Sequence, residues 1–544
     1  MTSLLFVFGI SLVSCLILSP LVRALAKRWD LVDRPDGRRK VHSQETPLGG
    51  GLAIFASAVI AVFAAWAASP LYDRLGADGY WLIGLLTASA LISSVGLVDD
   101  YHRLRGKYKL CWQILAVAIV IGCGVEIRSI QFFEWRLELG LLAVPFTAFL
   151  LLGAINSLNL IDGMDGLLSC VGFIICLAMT AMAVHSGGWS GACVAVALAG
   201  ALLGFLRYNF PPASIFMGDC GSTVVGLVIG VLAIQSSLKG PATVALAAPL
   251  AVLTIPIFDT LAAIVRRKLT GRSFYTTDRG HLHHCMMRRG LTSRRVLGWV
   301  TVLSLITLAG ALASLILHNE LLAIISGLAV VSILVATRLF GFAEFLLIRD
   351  HLTASAGSLY RGAKVQNPAR VEVHLQGTAD WKRLWRELTA FAEDHVLSSM
   401  CLDVNAPAIQ ESFHARWNNG DHDPDDFDLW RVQLPLVASG HAVGRLEIAG
   451  RRDDESTSLK IFNLAKIIED LELTIGTLAT RSLVQSARSA EGGADDPNSE
   501  TDAVGWTAMR KRVLIVQGTN DHDSNGELES DANIADIDLP RKPR

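Results

Sequence analysis

The chain has 544 residues, of which 51% are hydrophobic and only 18% charged, with a mean hydropathy of +0.43. Soluble domains carry about 25% charge, so disorder, a collagen-like fibre and a small disulfide scaffold are excluded. A formal net charge of −2 offers no electrostatic footprint for nucleic acid, which leaves a polytopic membrane protein as the expectation.

The first apolar run, Leu4 to Val22, is followed by Arg23, Lys27 and Arg28. It lacks a basic leader and a small-residue cleavage site, which predicts an uncleaved first span. A helix needs about 20 apolar residues to cross a hydrocarbon core of about 30 Å. By that criterion about 11 spans are predicted, near 3–24, 47–68, 80–98, 110–126, 138–155, 167–185, 190–206, 220–236, 242–265, 296–317 and 321–337. Gly and Pro inside several runs do not demote them, because membrane helices tolerate both. Of the 9 cysteines, Cys15, Cys123, Cys170, Cys176 and Cys193 lie within these runs and no CxxC pair occurs. They read as small apolar residues, not as zinc ligands or a disulfide framework.

The loops after the first, third and ninth runs hold most of the Lys and Arg, from Lys27–Lys40, Arg103–Lys109 and Arg266–Arg295. The alternate loops carry only Arg74, Arg128, Arg136 and Lys239. The positive-inside rule therefore places the N-terminus outside, and an odd number of spans leaves the C-terminus in the cytoplasm.

Past residue 348 the pattern changes. Val371–Leu375, Ser399–Val404, Trp430–Leu436 and Gly444–Ile448 read as strands, while Trp381–Val396 and Ser456–Leu483 have helical spacing. The expected organisation is an all-α polytopic membrane domain over 1–348 and a small α+β cytoplasmic domain over 349–484. The segment 485–544, rich in Asp, Ser, Asn and Gly, reads as a disordered tail. No internal repeat is visible.

The chemistry-bearing residues fall at one end of the spans. Asp99 and Asp100 end the third, Asn156, Asn159, Asp162 and Asp165 follow the fifth, Asp219 precedes the eighth, and His281, His283 and His284 lie in the basic loop after the ninth. Topology alone gathers all of them at the cytoplasmic face. Converging carboxylates repel unless a cation neutralises them, and an all-oxygen set favours Mg²⁺, with Mn²⁺ as the alternative. Acids ringed by Arg and Lys suit a polyanion bridged by metal, such as a nucleoside diphosphate compound. Singly, each feature has a plainer reading: an interfacial marker, a turn, a helix cap, or a zinc-binding histidine cluster that lacks a spaced fourth ligand. Their convergence on one face favours a site. A cation or sugar-phosphate transporter is the rival class, but such proteins bind near the midplane with repeat symmetry.

Several ordered segments carry a resemblance: Asp33–His42, Pro47–Gly51, Gly96–Tyr101, Asn156–Leu167, Phe216–Ser222, Pro256–Asp259 and Asp278–His284. Residues 1–345 resemble the polyprenyl-phosphate N-acetylhexosamine-1-phosphate transferases of bacterial inner membranes, and the His-x-His-His spacing resembles their UDP-GlcNAc-using branch. The resemblance implies transfer of a sugar 1-phosphate, most simply GlcNAc-1-phosphate, from a UDP-sugar to undecaprenyl phosphate in the bilayer with release of UMP. Another UDP-N-acetylhexosamine and a homodimer are left open. It further implies Asp165 and Asp219 as Mg²⁺ ligands, and Asp99 and Asp100 as a catalytic pair near the lipid phosphate. Asn156, Asn159 and Asp162 fall on the nucleotide side, with His281, His283 and His284 at the sugar phosphate. Arg39, Lys40, His42 and Arg279 would bind substrate phosphate. Gly280 and Cys285 depart from the family's histidine-loop pattern, which bears on sugar specificity.

Overall fold

The computed structural model describes residues 2–34, 45–67, 79–132, 135–235, 238–240, 243–245, 247–270, 280–349, 369–376, 381–394, 397–406, 411–418, 429–438 and 441–451. Arg39, Lys40, His42 and Arg279, the expected helix over 456–483 and the expected tail lie outside these residues.

The ninth predicted run opens with a strand, Thr243–Ala245, and helices lie within every run. In chain order these are α1 (Thr2–Arg28), α2 (Gly50–Ala67), α3 (Gly79–His102), α4 (Gly106–Gly122), α5 (Ala143–Ile161), α6 (Leu167–His185), α7 (Trp189–Asn209) and α8 (Asp219–Gln235). They continue with α9 (Ala247–Val252), α10 (Thr254–Leu269), the short α11 (Leu282–Arg288), α12 (Ser293–Ile316) and α13 (Glu320–Ala336). Among the described residues, 7 helices are long and apolar enough to cross a membrane, with α8 and α13 shorter and also apolar. The protein is therefore a multi-pass membrane protein.

The ninth run differs from expectation, because it breaks into α9 and α10 at Leu253. Pro256 explains the break. It lacks an N–H and its ring crowds the carbonyl four residues back, so it is tolerated in the first turn of α10 but not inside a continuous helix. The fifth helix runs further than its apolar stretch. Asn156 and Asn159 stand on α5 itself, not in the loop beyond it.

Two helices form the centre. Nearly every residue of α7 is buried, and α8 is buried from Cys220 to Ile234. Lipid is as apolar as leucine, so close approach of small residues holds membrane helices together rather than hydrophobic collapse. At Gly51 and Gly221 the α2 and α8 backbones touch so closely that no Cβ fits at Gly51. That junction is also pinned by bonds from Gly50 N–H to Phe216 O and from Gly51 N–H to Met217 O, both at 2.9 Å. The bilayer side is apolar, as shown by the exposed Leu5, Phe6, Val13 and Ile17 of α1.

A four-stranded sheet forms at the opposite end from Asp219, from β3 (Ser129–Phe132), β4 (Trp135–Glu138), β5 (Leu238–Gly240) and β6 (Thr243–Ala245); β1 (Val32–Asp33) pairs with β2 (Thr46–Pro47). Beyond α13, five antiparallel strands run in the order β10-β11-β8-β9-β7. They are β7 (Ala369–Gln376), β8 (Ser399–Ala406), β9 (Glu411–Asn418), β10 (Leu429–Ala438) and β11 (His441–Arg451). Helix α14 (Trp381–Asp394) packs Trp381, Trp385 and Leu388 against Met400, Leu402, Phe413 and Trp417. Strand β9 is an addition to the sequence reading, although its alternation of Phe413, Ala415 and Trp417 with Ser412, His414 and Arg416 has the period of a half-buried strand.

Candidate active site

Asp99 and Asp100 occupy the last turn of α3, and successive side chains on a helix point in different directions. Asp99 is buried. It accepts from Leu104 N–H at 2.6 Å and forms an ion pair with Lys109, one turn into α4. Asp100 instead accepts from Asp219 N–H at 2.8 Å and Cys220 N–H at 3.4 Å. It thus satisfies two of the free N–H groups at the start of α8 and opposes the positive end of that helix's dipole. The expected pair divides into one residue facing a cation and one bracing a helix.

Asp219 opens α8 beside them. Its Oδ2 lies 2.6 Å from Lys109 Nζ and its Oδ1 accepts from Asn159 Nδ2 at 3.5 Å. Lys109 therefore bridges Asp99 and Asp219, a position the sequence reading missed by treating it only as a topology charge. Its spacing from Gln113 was a usable signal, since polar residues on membrane helices face the bundle interior. Gln113 is buried and accepts from Asn156 Nδ2 at 3.0 Å, which fixes α4 against α5 below the acids. An open cleft between α3, α4 and α8 is lined by Ile92, Val95 and Asp99 of α3, Lys109, Trp112 and Gln113 of α4, and Asp219 and Thr223 of α8.

Asp162 and Asp165 lie in the turn between α5 and α6. Asp162 has its carboxyl pushed well above the usual carboxylate range, first by burial and then by the negative charges of Asp219, Asp100 and Asp165. Asp165 Oδ2 accepts from Ala213 N–H at 2.9 Å and so anchors the loop after α7.

The histidine segment meets this turn. Ring atoms of His283 would lie 2.6 Å from a Cβ on Gly163, so the imidazole rests on the glycine backbone. His283 is 2% exposed, its Nε2 has no partner among the described residues, and burial followed by His284 and His281 lowers its pKa well below the usual imidazole range. It is neutral at pH 7. Gly163→Ala is expected to push this ring aside, lowering turnover about tenfold while the unfolding temperature moves little, as a rate and a thermal melt would show.

His281 is oriented from behind. Its Nδ1 lies 3.0 Å from Asp259 Oδ2, and Asp259 Oδ1 accepts from Leu282 N–H at 2.8 Å. Asp259 is a residue the sequence reading quoted within a motif but gave no role; such a carboxylate fixes the ring and its tautomer. Gly280 also has a local reason, because the Arg266 guanidinium packs where its Cβ would stand. Arg266 is paired with Glu344, in the helical segment 342–349, and both side chains are below 9% exposed. Glu344→Gln removes the buried carboxylate paired with Arg266 and is expected to destabilise the protein, read as a lowered unfolding temperature.

The donor set at this face is oxygen-rich, and Lys109 is the cation paired with its acids among the described residues. The carboxyl of Asp162, raised first by burial, also feels the charges of Asp219, Asp100 and Asp165. Among the described residues, no three His, Cys, Asp or Glu side chains form a closed metal cage. Mg²⁺ is commonly held by one or two carboxylates, with substrate phosphates and water completing its shell, so these residues fit that ion.

The sequence pattern of glycosyl transferase family 4 matches residues 82–237. The chain is 35% identical over 313 residues to a probable undecaprenyl-phosphate N-acetylglucosaminyl 1-phosphate transferase of Bacillus subtilis, covering 56% of this chain and 84% of that protein. It is 33% identical over 345 residues to the decaprenyl-phosphate N-acetylglucosaminephosphotransferase of Mycolicibacterium smegmatis, covering 58% and 83% respectively. It is also 31% identical over 325 residues to the undecaprenyl-phosphate alpha-N-acetylglucosaminyl 1-phosphate transferase of Yersinia pestis, covering 58% and 82%. The fold and site define a membrane-embedded transferase. The chain belongs to glycosyl transferase family 4, as its motifs lead one to expect.

Proposed function

We infer that this protein transfers N-acetylglucosamine 1-phosphate from UDP-GlcNAc to a polyprenyl phosphate, releasing UMP and starting a lipid-linked cell-surface glycan. The relatives' names supply the reaction, and the chain spans more than four-fifths of each of the three described above. The observation that carries it at this site is the cleft in which Asp99, Lys109 and Asp219 stand together with Ile92, Val95 and Trp112. Charged and apolar side chains in one cleft suit a phosphate on an isoprenoid tail. The transporter reading has no comparable support, since the acids lie at helix ends.

An acceptor phosphate has a second pKa near 6, so at neutral pH it is already a nucleophile. Its oxygen attacks the β-phosphorus of the UDP-sugar, a new P–O bond forms, and the bond to the UMP oxygen breaks. The difficulty is bringing one anion to another. Lys109 would meet the acceptor phosphate with Asp99 holding its ammonium group in place, and neutral His283 would contact the sugar phosphate. Asp219 and Asp165 would hold Mg²⁺, with Asp162 beside them. When bound, that ion supplies charge neutralisation and orientation for the diphosphate oxygens. Arg39, Lys40, His42 and Arg279 complete the proposal as phosphate contacts. Eleven crossings, a cytoplasmic active face and sheet domain, and a bacterial inner-membrane location belong to the same reading.

The test incubates purified protein with labelled UDP-GlcNAc, undecaprenyl phosphate and Mg²⁺. Labelled lipid diphosphate and stoichiometric UMP are expected. Label entering lipid only from a different UDP-sugar would change the substrate, and UMP release unaffected by chelation would remove the metal.

A further inference from the structure

Asn209, the last residue of α7, lies outside every motif discussed so far. It is 4% exposed, and a buried amide has to be answered by hydrogen bonds. Its Oδ1 accepts from Gly166 N–H at 2.9 Å and from Ser169 Oγ at 3.2 Å, and its Nδ2 donates to the Ile215 carbonyl at 3.0 Å. The partners fix which way the amide points: the Gly166 N–H can only donate and the Ile215 carbonyl can only accept.

Those partners are not arbitrary. Gly166 closes the turn that carries Asp162 and Asp165, with a φ of +73° that disfavours other residues. Ile215 opens the stretch that ends four residues later in Asp219. Between them, Ala213 N–H donates to Asp165 Oδ2 at 2.9 Å. A single side chain is thus fastened to both acid-bearing turns, one of them 43 residues earlier in the chain. Phosphoryl transfer depends on such spacing, because a misplacement of about 1 Å can cost about a hundredfold in rate.

We propose that Asn209 is a positioning residue: it sets the separation between the Asp162–Asp165 turn and Asp219, and thereby the grip of these acids on a divalent cation. The task needs an acceptor and a donor on one short, rigid side chain. Asp offers two acceptors and no donor when ionised, and Leu offers neither. The inference rests on the Mg²⁺ reading made above for this same site.

The test uses full-length Asn209→Leu and Asn209→Asp in detergent, beside the parent. Four quantities are read: kcat, KM for UDP-GlcNAc, the Mg²⁺ concentration for half-activation, and the rise in unfolding temperature that Mg²⁺ produces without substrate. Both variants are expected to lose about tenfold or more in kcat, to need about fivefold more Mg²⁺, and to show a smaller Mg²⁺-induced rise, with KM changing less than about threefold. Asn209→Asp preserves the shape and the accepting atom, so it carries the test if Asn209→Leu does not fold. A folded Asn209→Asp with the parent's half-activation and the parent's Mg²⁺-induced rise overturns the proposal. So does failure of both variants to fold, since Asn209 would then serve folding itself. A parent indifferent to Mg²⁺ in both readouts instead sinks the metal reading, and the split between kcat and KM still judges whether Asn209 positions the acids.

Discussion

Asp219→Asn is expected to lower UMP release by about 10²–10³-fold while the protein still folds and inserts. The substitution keeps the size of the side chain and leaves the backbone N–H that donates to Asp100 at 2.8 Å. The start of α8 is therefore still braced. Only the charge goes, and with it the salt bridge to Lys109 at 2.6 Å. Lys109 retains Asp99, so no buried cation is stranded. The measurement is UMP release against Mg²⁺ concentration, with thermal unfolding as the control. Turnover near the parent's, with the parent's Mg²⁺ dependence, would show that Asp219 is not a metal ligand.

Lys109→Met is expected to cost about a hundredfold, for the opposite electrostatic reason. Lys109 is the bridge between Asp99 and Asp219. Without it the two carboxylates stand together with no cation between them, and like charges about 4 Å apart within a protein repel by about 4 kcal/mol. Methionine fills a similar volume, so the shape of the cleft changes little. Lys109→Arg keeps the charge but alters its shape and should recover part of the rate. Initial rates at varied polyprenyl phosphate check the assignment. A loss confined to KM for the UDP-sugar would place Lys109 with the donor instead of the acceptor.

Much of the membrane architecture was legible because a bilayer imposes a length on every crossing segment, and helices lie within each apolar run. The face of the site was legible for the same reason, since topology carried Asp99, Asp162 and Asp219 to one end. The partners inside the site were not. Lys109 carries a charge that topology already accounted for, so nothing in its immediate neighbours announced the bond to Asp219, 110 residues away. Asp259 and His281 are 22 residues apart and meet only in the folded chain. The break at Leu253 and the extension of α5 through Asn159 were hidden by composition: Pro is acceptable in a membrane span, and Asn156 is held by Gln113, which only the packed structure reveals.

The brace formed by Arg266 and Glu344 also sets where this protein can be cut. Glu344 lies past α13, in residues 342–349, yet its partner stands behind the histidine segment. A shortened version or a chimera joined directly after Ala336 would discard a piece of the catalytic half along with the sheet. Exchange of the C-terminal portion between family members has to begin beyond residue 349 if the graft is to leave the chemistry intact.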